Sequence, residues 1–126
     1  AHRGWRPGRT AVGWRPLDAW YLLVSGPTDP VANMAWDEAL LEQCGRLGRP
    51  VLRSYGWSAP AATFGYFQHR APLAAMLPVR PLLRRPTGGG LVLHLRDWTY
   101  SVAVPPGHAW HRLPAVESYR RIHDWI

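Results

Sequence analysis

The sequence predicts a single α/β domain that mixes β-strands with α-helices. Short β-prone runs bounded by glycine and proline recur, and other segments carry apolar residues at helical spacing. The 126 residues suffice for one modest core, and an apolar share of 47% with eight tryptophans argues against disorder. Residues 1–18 are predicted to be a flexible tail, because glycine, proline and arginine dominate there without a hydrophobic period. The domain is expected over residues 19–126.

Six runs are predicted to be strands, each rich in β-branched, aromatic or aliphatic residues and bounded by turn residues. The first is Ala19–Val24, which Ser25-Gly26-Pro27 is expected to end. The other five runs are Val51–Trp57, Ala62–Tyr66, Leu82–Arg85, Leu91–Leu95 and Trp98–Val104.

A long helix is predicted from Val31 to about Cys44. Asp29-Pro30 supplies an N-cap followed by a proline at the first helical position. Gly45 and Gly48 follow as signals for the end of the helix. Residues 69–80 are predicted to form one short helix or a loop, because two prolines interrupt a weak helical pattern.

A last amphipathic helix is predicted to begin at Ala115. The sequence stops at Ile126, before any C-cap, and its first residue is alanine rather than methionine. We therefore expect a chain that is a fragment, incomplete at its C-terminus.

The net charge of +7 comes entirely from arginine, because the chain has no lysine. A positive net charge favours binding of anionic ligands or nucleic acid. Because the arginines are scattered along the chain, nucleic-acid binding is kept only as an alternative. The single cysteine, Cys44, allows no internal disulfide and fits a reducing compartment. No apolar run approaches the roughly 20 residues of a membrane span, and the N-terminal arginines are not followed by the apolar h-region of a secretory signal. We expect a cytoplasmic protein.

One stretch concentrates residues suited to binding an anion. It runs Arg84-Arg85-Pro86-Thr87-Gly88-Gly89-Gly90 and continues through an apolar run to His94. Consecutive glycines let the backbone take positive φ angles and let a ligand approach bare amides. Such amides can form a nest for phosphate or carboxylate, to which arginines add charge and paired donors. Taken alone, the motif also fits an ordinary glycine-rich hairpin beside two surface arginines.

Three further groups of residues are assigned no chemistry. Asp37 and Glu38 are helix neighbours whose side chains point about 100° apart, so we expect one solvated acid and one local salt bridge. His108 and His111 lack a third ligand at matching spacing, so we expect solvated rings and no metal site. Cys44 is expected to be a small buried hydrophobe.

Three segments carry a recognisable pattern: Asn33 to Glu42, Leu52 to Trp57 with Pro60, Gly65 and Gln68, and Arg84 to Gly90 with Val92, His94, Asp97 and Thr99-Tyr100-Ser101. In their order and spacing they resemble the biotin/lipoate protein ligases and lipoyl/octanoyl transferases. The resemblance covers residues from about 20 to 126. It implies a mixed, antiparallel-rich sheet flanked by helices, similar to class II synthetases and biotin protein ligases.

The resemblance also implies a substrate site. Residues of the glycine stretch would line the acyl-phosphate region of a lipoyl or octanoyl adenylate, namely Arg84, Arg85, Thr87, Gly88, Gly89 and Gly90. Trp57 would lie beside the acyl tail, and His94 would close the loop.

The activity of the family that the sequence resembles implies an activity for the whole domain. A lipoyl or octanoyl group would be attached to a lysine of a lipoyl carrier domain. In the ligase branch, ATP with Mg²⁺ would first convert the acid to an acyl-adenylate; in the transferase branch, the acyl group would pass through a thioester on cysteine. Lipoate or octanoate would be the substrate.

The sequence departs from the family pattern in two places. Leu95 and Arg96 stand where the family has an acidic residue and a glycine, ahead of Asp97. The family's catalytic lysine and nucleophilic cysteine lie beyond the matched stretch, so we expect no catalytic residue here and no activity from the chain alone. The alternatives are a non-catalytic subunit or pseudoenzyme that joins a second chain, and a basic nucleic-acid-binding module.

Overall fold

The computed structural model of the protein describes residues 5–8 and 19–125. Its strands are β1 (Trp5–Gly8), β2 (Trp20–Thr28), β3 (Val51–Trp57), β4 (Ala61–Phe64), β5 (Leu82–Arg84), β6 (Val92–His94) and β7 (Thr99–Ala103). Its helices are α1 (Pro30–Leu47), α2 (Arg70–Met76), a 3₁₀ helix (Ala109–Arg112) and α3 (Ala115–Trp125). β3 has the predicted bounds, and β4 to β7 begin and end within two residues of the predicted ones. The short helix within 69–80 is α2.

The described strands form two sheets. The four-stranded sheet has the order β1-β2-β3-β7, with β2 and β3 parallel and the two outer pairs antiparallel. In the three-stranded sheet, β4 lies between β5, which is parallel to it, and β6, which is antiparallel. The α1 helix packs against β3, β7 and β5. The predicted mixed, antiparallel-rich fold is confirmed.

β2 is longer than predicted. Ser25-Gly26-Pro27 does not end it, so that prediction is wrong: β2 continues to Thr28, and its pairing with β3 only shifts register between Val24 and Gly26. Gly26 has a φ of 63°, which lets the strand bulge there and resume its pairing.

β1 lies inside the segment predicted to be a tail. It pairs antiparallel with β2, from Trp5 opposite Leu23 to Gly8 opposite Trp20. The structure therefore shows a strand rather than a flexible tail at these four residues. The rest of that prediction, residues 1–4 and 9–18, lies outside the described residues.

The ends of α1 confirm the predicted caps. The backbone N–H of Ala32 donates to Asp29 Oδ2 at 3.1 Å, and Pro30 is the first helical residue. Gly48 follows the helix with a φ of 70°, and its N–H donates to the carbonyl of Cys44 at 3.1 Å. Gly45 lies within the helix rather than at its end.

Among the described residues, three apolar clusters contain most of the core. The first joins α1 to the four-stranded sheet through Leu23, Leu40, Cys44, Val51 and Ala103. The second joins the two sheets through Met34, Tyr55, Trp57 and Ala61, and the third holds α2 on the smaller sheet through Ala62, Phe64 and Leu82. Cys44 is 4% exposed, which confirms the prediction of a buried, hydrophobic cysteine. None of the helices in the described ranges is long and apolar enough to cross a bilayer.

Candidate functional site

The glycine loop, residues 85–91, connects β5 to β6 and is anchored on the end of β4. The N–H of Arg85 donates to the carbonyl of Phe64 at 2.8 Å. The N–H of Tyr66 donates to the carbonyl of Thr87 at 2.9 Å. Two backbone hydrogen bonds therefore fix the start of the loop, while its glycines stay exposed.

Two glycines give this loop its course. A Cβ built on Gly65 would lie 2.0 Å from the carbonyl oxygen of Gly89, so only glycine allows the two backbones to pass at this distance. Gly89 itself has a φ of 98°, a conformation that side chains rarely adopt. Gly65 is thus required by the close approach of the two backbones, and Gly89 by its positive φ.

Arg84 binds the turn that follows β4. Its Nη1 donates to the carbonyls of Tyr66 and Gln68 at 2.6 and 2.8 Å. Its guanidinium carbon lies 4.7 Å from the centroid of the Phe64 ring. Arg84 is exposed, but its donors already hold backbone carbonyls of the protein.

Arg85 turns the other way, into the glycine loop. Its Nη2 donates to the carbonyls of Gly88 and Gly90 at 3.1 and 2.6 Å, and its Nη1 donates to Thr63 Oγ1 at 2.8 Å. Burial lowers the pKa of the Arg85 guanidinium below its usual value, but such a group keeps its charge in proteins. The loop therefore encloses a fixed positive charge.

His94 and Trp57 form a stacked pair beneath the loop. The ring centroids are 4.0 Å apart and the ring planes differ by 16°. His94 is 5% exposed; its Nε2 lies 2.9 Å from Thr63 Oγ1 and its Nδ1 lies 2.9 Å from Asp97 Oδ2. Trp57 Nε1 donates to Thr99 Oγ1 at 2.9 Å. Both aromatic rings are thus held at their polar edges.

Asp97 completes this arrangement. Partial burial alone would raise the pKa of its carboxyl, but hydrogen bonds from His94, the backbone and Thr99 lower the pKa below its ordinary value of 3.8. The N–H of Leu95 also donates to Asp97 Oδ1 at 3.1 Å. The carboxylate therefore closes the turn after β6 and holds His94 in place.

A second polar cluster lies on the four-stranded sheet. Asp37 Oδ1 accepts from Arg53 Nη1 at 3.1 Å and from Ser101 Oγ at 2.7 Å, while Oδ2 accepts from the Tyr55 hydroxyl at 2.7 Å. Burial, followed by the charge of Asp37, raises the pKa of the Tyr55 hydroxyl, which therefore remains a donor. The expected local salt bridge at Asp37 and Glu38 is wrong, because Asp37 pairs with a residue of β3.

Arg53 is the residue that sequence reasoning missed in this cluster. It is fully buried, and its Nη2 donates to Asn33 Oδ1 at 2.8 Å and its Nε to Ser25 Oγ at 3.1 Å. Burial lowers the pKa of Arg53, and the neighbouring charge of Asp37 partly offsets that effect. The available signal was an arginine in the middle of an otherwise apolar strand, which requires a buried acidic partner.

A groove of about 350 Å³ lies between the two polar clusters. Its apolar lining comes from α1, β7, the 3₁₀ helix and α3: Leu40, Leu41, Val102, Ala103, Val104, Trp110, Ala115, Tyr119 and Ile122. Its polar lining comes from Asp37, Tyr55, Arg85, Thr87, Thr99, Tyr100, Ser101 and Ser118. An apolar groove that also contains a charged group and several hydroxyls suits a ligand with an apolar chain and a polar end.

The two loop histidines lie outside this arrangement. His108 is half-buried, its Nδ1 accepts from the N–H of Trp110 at 3.1 Å, and its ring lies edge-on to Trp20 at 6.1 Å. The prediction of a solvated ring is therefore wrong for His108, whereas His111 is exposed as predicted. Within the described ranges, no three His, Cys, Asp or Glu side chains come together as metal ligands.

Comparison with known proteins identifies the family. The model of the lipoyl protein ligase A/B catalytic domain matches residues 29–126. The chain belongs to this family. Octanoyltransferase LipM of Halalkalibacterium halodurans is 40% identical over 115 residues, covering 87% of this chain and 42% of that protein. LipM of Moorella thermoacetica is 42% identical over 99 residues, covering 74% and 36%.

A solved structure agrees with the sequence relatives. The crystal structure of a lipoate-protein ligase A bound with ATP has a TM-score of 0.57 and 27% identity to this chain, covering 79% of this chain and 40% of that one. The chain spans about two fifths of the length of the curated relatives it matches.

In this member of the lipoyl protein ligase A/B family, the residues predicted for the site occupy three places. Arg85 and Thr87 line the groove. Arg84 and the three glycines, Gly88, Gly89 and Gly90, lie exposed beside it. Trp57 and His94 are buried against each other and contribute no wall to the groove. Sequence reasoning assigned no role to Thr63, which joins the first place to the third through its bonds to Arg85 and His94.

Proposed function

We propose that this chain forms the acyl-binding part of a protein-lipoylation enzyme, which transfers an octanoyl or lipoyl group to a lysine of a lipoyl carrier domain. The observation that carries this proposal is the apolar groove with Arg85 and Thr87 on its wall, beside the exposed glycine backbone. The apolar part suits the acyl chain. The arginine and the loop suit the oxygen atoms of the acyl carbonyl or of an attached phosphate.

The size of the groove supports a medium-length acyl chain. About 350 Å³ is at the small end of the roughly 300–1,000 Å³ found for ligand sites. Each methylene buried in such a site contributes about 0.8 kcal/mol. Affinity should therefore depend steeply on chain length, up to the length that fills the groove.

Octanoyl transfer is the first candidate reaction, because the similar curated proteins are octanoyltransferases. Lipoate ligation is the second, because the fold is similar to a lipoate-protein ligase A bound with ATP. In the ligase reaction, ATP would supply the adenylate that activates the carboxylate, and Arg85 with the loop would hold its phosphate. Mg²⁺ would accompany the ATP in that reaction; among the described residues, no three His, Cys, Asp or Glu side chains form a metal site of their own.

The nucleophile or lysine that completes either reaction would come from outside these 126 residues. The chain has no lysine, and Cys44, its single cysteine, is 4% exposed within the core between α1 and the four-stranded sheet. The remaining part of the enzyme, or a second chain, would supply it. The cytoplasmic location and the carrier domain as acceptor are part of this proposal.

Calorimetric titration of the chain with a non-hydrolysable octanoyl-adenylate analogue tests the proposal. We expect saturable binding, and binding of the butanoyl analogue weaker by about two orders of magnitude, because four methylenes are lost. Leu41→Ala, in the groove wall, should weaken octanoyl binding. Val31→Ala, on the same helix and also exposed but outside the groove, should leave it unchanged.

Two outcomes would contradict the proposal. One is the absence of binding by a chain whose circular dichroism shows that it is folded. The other is equal affinity for the butanoyl and octanoyl analogues. Binding of oligonucleotides with a steep salt dependence, without acyl binding, would support the nucleic-acid alternative instead.

A further inference from the structure

We propose that Thr63 and Asp97 are positioning residues of the glycine loop. They act through one directed hydrogen-bond chain, from the Asp97 carboxylate through His94 and Thr63 to Arg85. This chain sets Arg85 so that two loop amides face outward as donors for an anion. The identity of that anion, an acyl-adenylate, rests on the proposed function. The hydrogen-bond chain does not depend on that function.

The direction of the chain follows from Thr63. Its side chain is fully buried, and Oγ1 lies 2.8 Å from Arg85 Nη1 and 2.9 Å from His94 Nε2. A guanidinium only donates, so Oγ1 accepts from Arg85. The hydroxyl proton of Thr63 then points to His94 Nε2, because a buried donor without a partner is costly.

The tautomer of His94 follows from the same geometry. If Nε2 accepts a proton from Thr63, the ring carries its own proton on Nδ1. Nδ1 lies 2.9 Å from Asp97 Oδ2, a carboxylate oxygen that accepts it. Each of the three hydrogen bonds from Arg85 to Asp97 thus has one donor and one acceptor, and all three run in one direction.

At its other end the chain orients the loop. Arg85 Nη2 holds the carbonyls of Gly88 and Gly90, and the peptide bonds that follow them are trans. In a trans peptide the N–H points opposite to the carbonyl, so the N–H groups of Gly89 and Leu91 point away from Arg85. In the described structure, the amides of residues 88–91 donate no hydrogen bond. Two donors are therefore available beside a fixed positive charge.

Loss of the Thr63 hydroxyl would break the chain at its centre. Arg85 Nη1 would lose its acceptor and His94 Nε2 its donor, so neither the guanidinium nor the tautomer would stay fixed. A serine at this position keeps the hydroxyl and a valine keeps the shape. The pair Thr63→Ser and Thr63→Val therefore separates the hydrogen bond from the packing.

Nitrogen NMR of the ligand-free chain gives the first readout. At pH 8, His94 should be the Nδ1–H tautomer in the unmodified protein and in Thr63→Ser, and a mixture in Thr63→Val and Asp97→Asn. The control is Thr28→Val on β2. It removes a half-buried threonine hydroxyl that donates to the Gly26 carbonyl at 3.1 Å and not to the hydrogen-bond chain, so it should leave His94 unchanged. An Nε2–H tautomer in the unmodified protein would overturn the proposal, whatever the ligand.

Binding of the octanoyl-adenylate analogue gives the second readout. Thr63→Val should weaken binding by about tenfold or more, Thr63→Ser by less than about threefold, and Thr28→Val not at all. Equal losses for Thr63→Ser and Thr63→Val would overturn the proposal. If the tautomer is as expected but the folded chain binds no acyl-adenylate, the proposed function fails and the hydrogen-bond chain stands.

Discussion

The two polar clusters contain the same charged groups in different arrangements. On the four-stranded sheet, Arg53 contacts Asp37 directly at 3.1 Å, and the arginine is fully buried. At the glycine loop, Arg85 and Asp97 are connected only through His94 and Thr63. The Arg53 guanidinium donates only to groups in the protein interior. The Arg85 guanidinium donates to Thr63 with Nη1 and to carbonyls of the exposed glycine loop with Nη2.

This difference assigns the clusters to different tasks. The Arg53–Asp37 cluster joins α1, β3 and β7, and a change there should affect folding. The Arg85–Asp97 chain connects two strands of the smaller sheet to the loop, and a change there should affect the ligand first. The four predictions below test that division, and they are arranged by the size of the expected effect.

Replacement of Arg53 by methionine should destabilise the protein by about 3–5 kcal/mol, because it leaves the Asp37 carboxylate buried without its cation. Urea unfolding followed by tryptophan fluorescence measures the change. The matched control is Arg49→Met at an exposed position, where a change within about 0.5 kcal/mol is expected. A loss below 1 kcal/mol in Arg53→Met would show that the cluster does not maintain the fold.

Replacement of Gly65 by alanine should cost about 1–3 kcal/mol and abolish acyl-adenylate binding, because the new Cβ would collide with the Gly89 carbonyl and displace the loop. Unfolding and calorimetry on the same sample separate the two effects. In Gly45→Ala, the added Cβ meets nothing within 4 Å inside α1, so a gain of about 1 kcal/mol with unchanged binding is expected. Normal binding by Gly65→Ala would refute the close approach.

The Asp97 carboxylate should make stability depend on pH. Folding lowers its pKa, so its contribution is complete above the ordinary value of 3.8 and is lost as the pH falls through the lower folded value. The effect should be modest, because the side chain is 41% exposed. Urea unfolding from pH 6 to pH 3 should show a loss for the unmodified protein that is smaller in Asp97→Asn. Identical pH profiles for the two proteins would contradict this prediction.

The smallest effect is expected at Glu117 on α3, where a carboxylate pairs with arginines at the protein surface. Hydrogen bonds from Arg120 and Arg121 lower the pKa of Glu117 from 4.5 to about 2. Its contribution to α3 should therefore be complete above pH 4.5 and disappear as the pH approaches about 2. Circular dichroism of the unmodified protein and Glu117→Gln should differ slightly at pH 7 and coincide at the acid limit. A stability change as large as that of Arg53→Met would contradict the comparison.

Each cluster could be predicted from the sequence only as far as its residues lie close together along the chain. The glycine stretch is contiguous, so its composition alone indicated an anion site. The partners of Asp37 lie 16 positions away at Arg53 and 64 positions away at Ser101, and helical or strand periodicity carries no information about such pairs. The local rule for helix neighbours therefore predicted the wrong ion pair.

The orientation of the two arginines was also beyond the sequence. Adjacent side chains of an extended segment point to opposite faces, so the side chains of Arg84 and Arg85 had to diverge. No sequence pattern indicates which of the two contacts the glycine loop. Thr63 gave no signal either, because threonine is an ordinary residue in a strand. The caps of α1 and the strand β3 were predicted correctly, because each depends on neighbouring residues. The mixed, antiparallel-rich fold was predicted correctly from the family resemblance.

Because Cys44 is buried, the reactivity of its thiol can report on local opening of the protein. The thiol lies under α1 in the cluster with Leu23 and Val51, and it is the single cysteine of a chain without lysine. A thiol-reactive dye should reach it when α1 separates from the four-stranded sheet, while movement of the glycine loop leaves it covered. The rate of labelling would then follow the separation of α1 from the four-stranded sheet, with the glycine loop left unmodified.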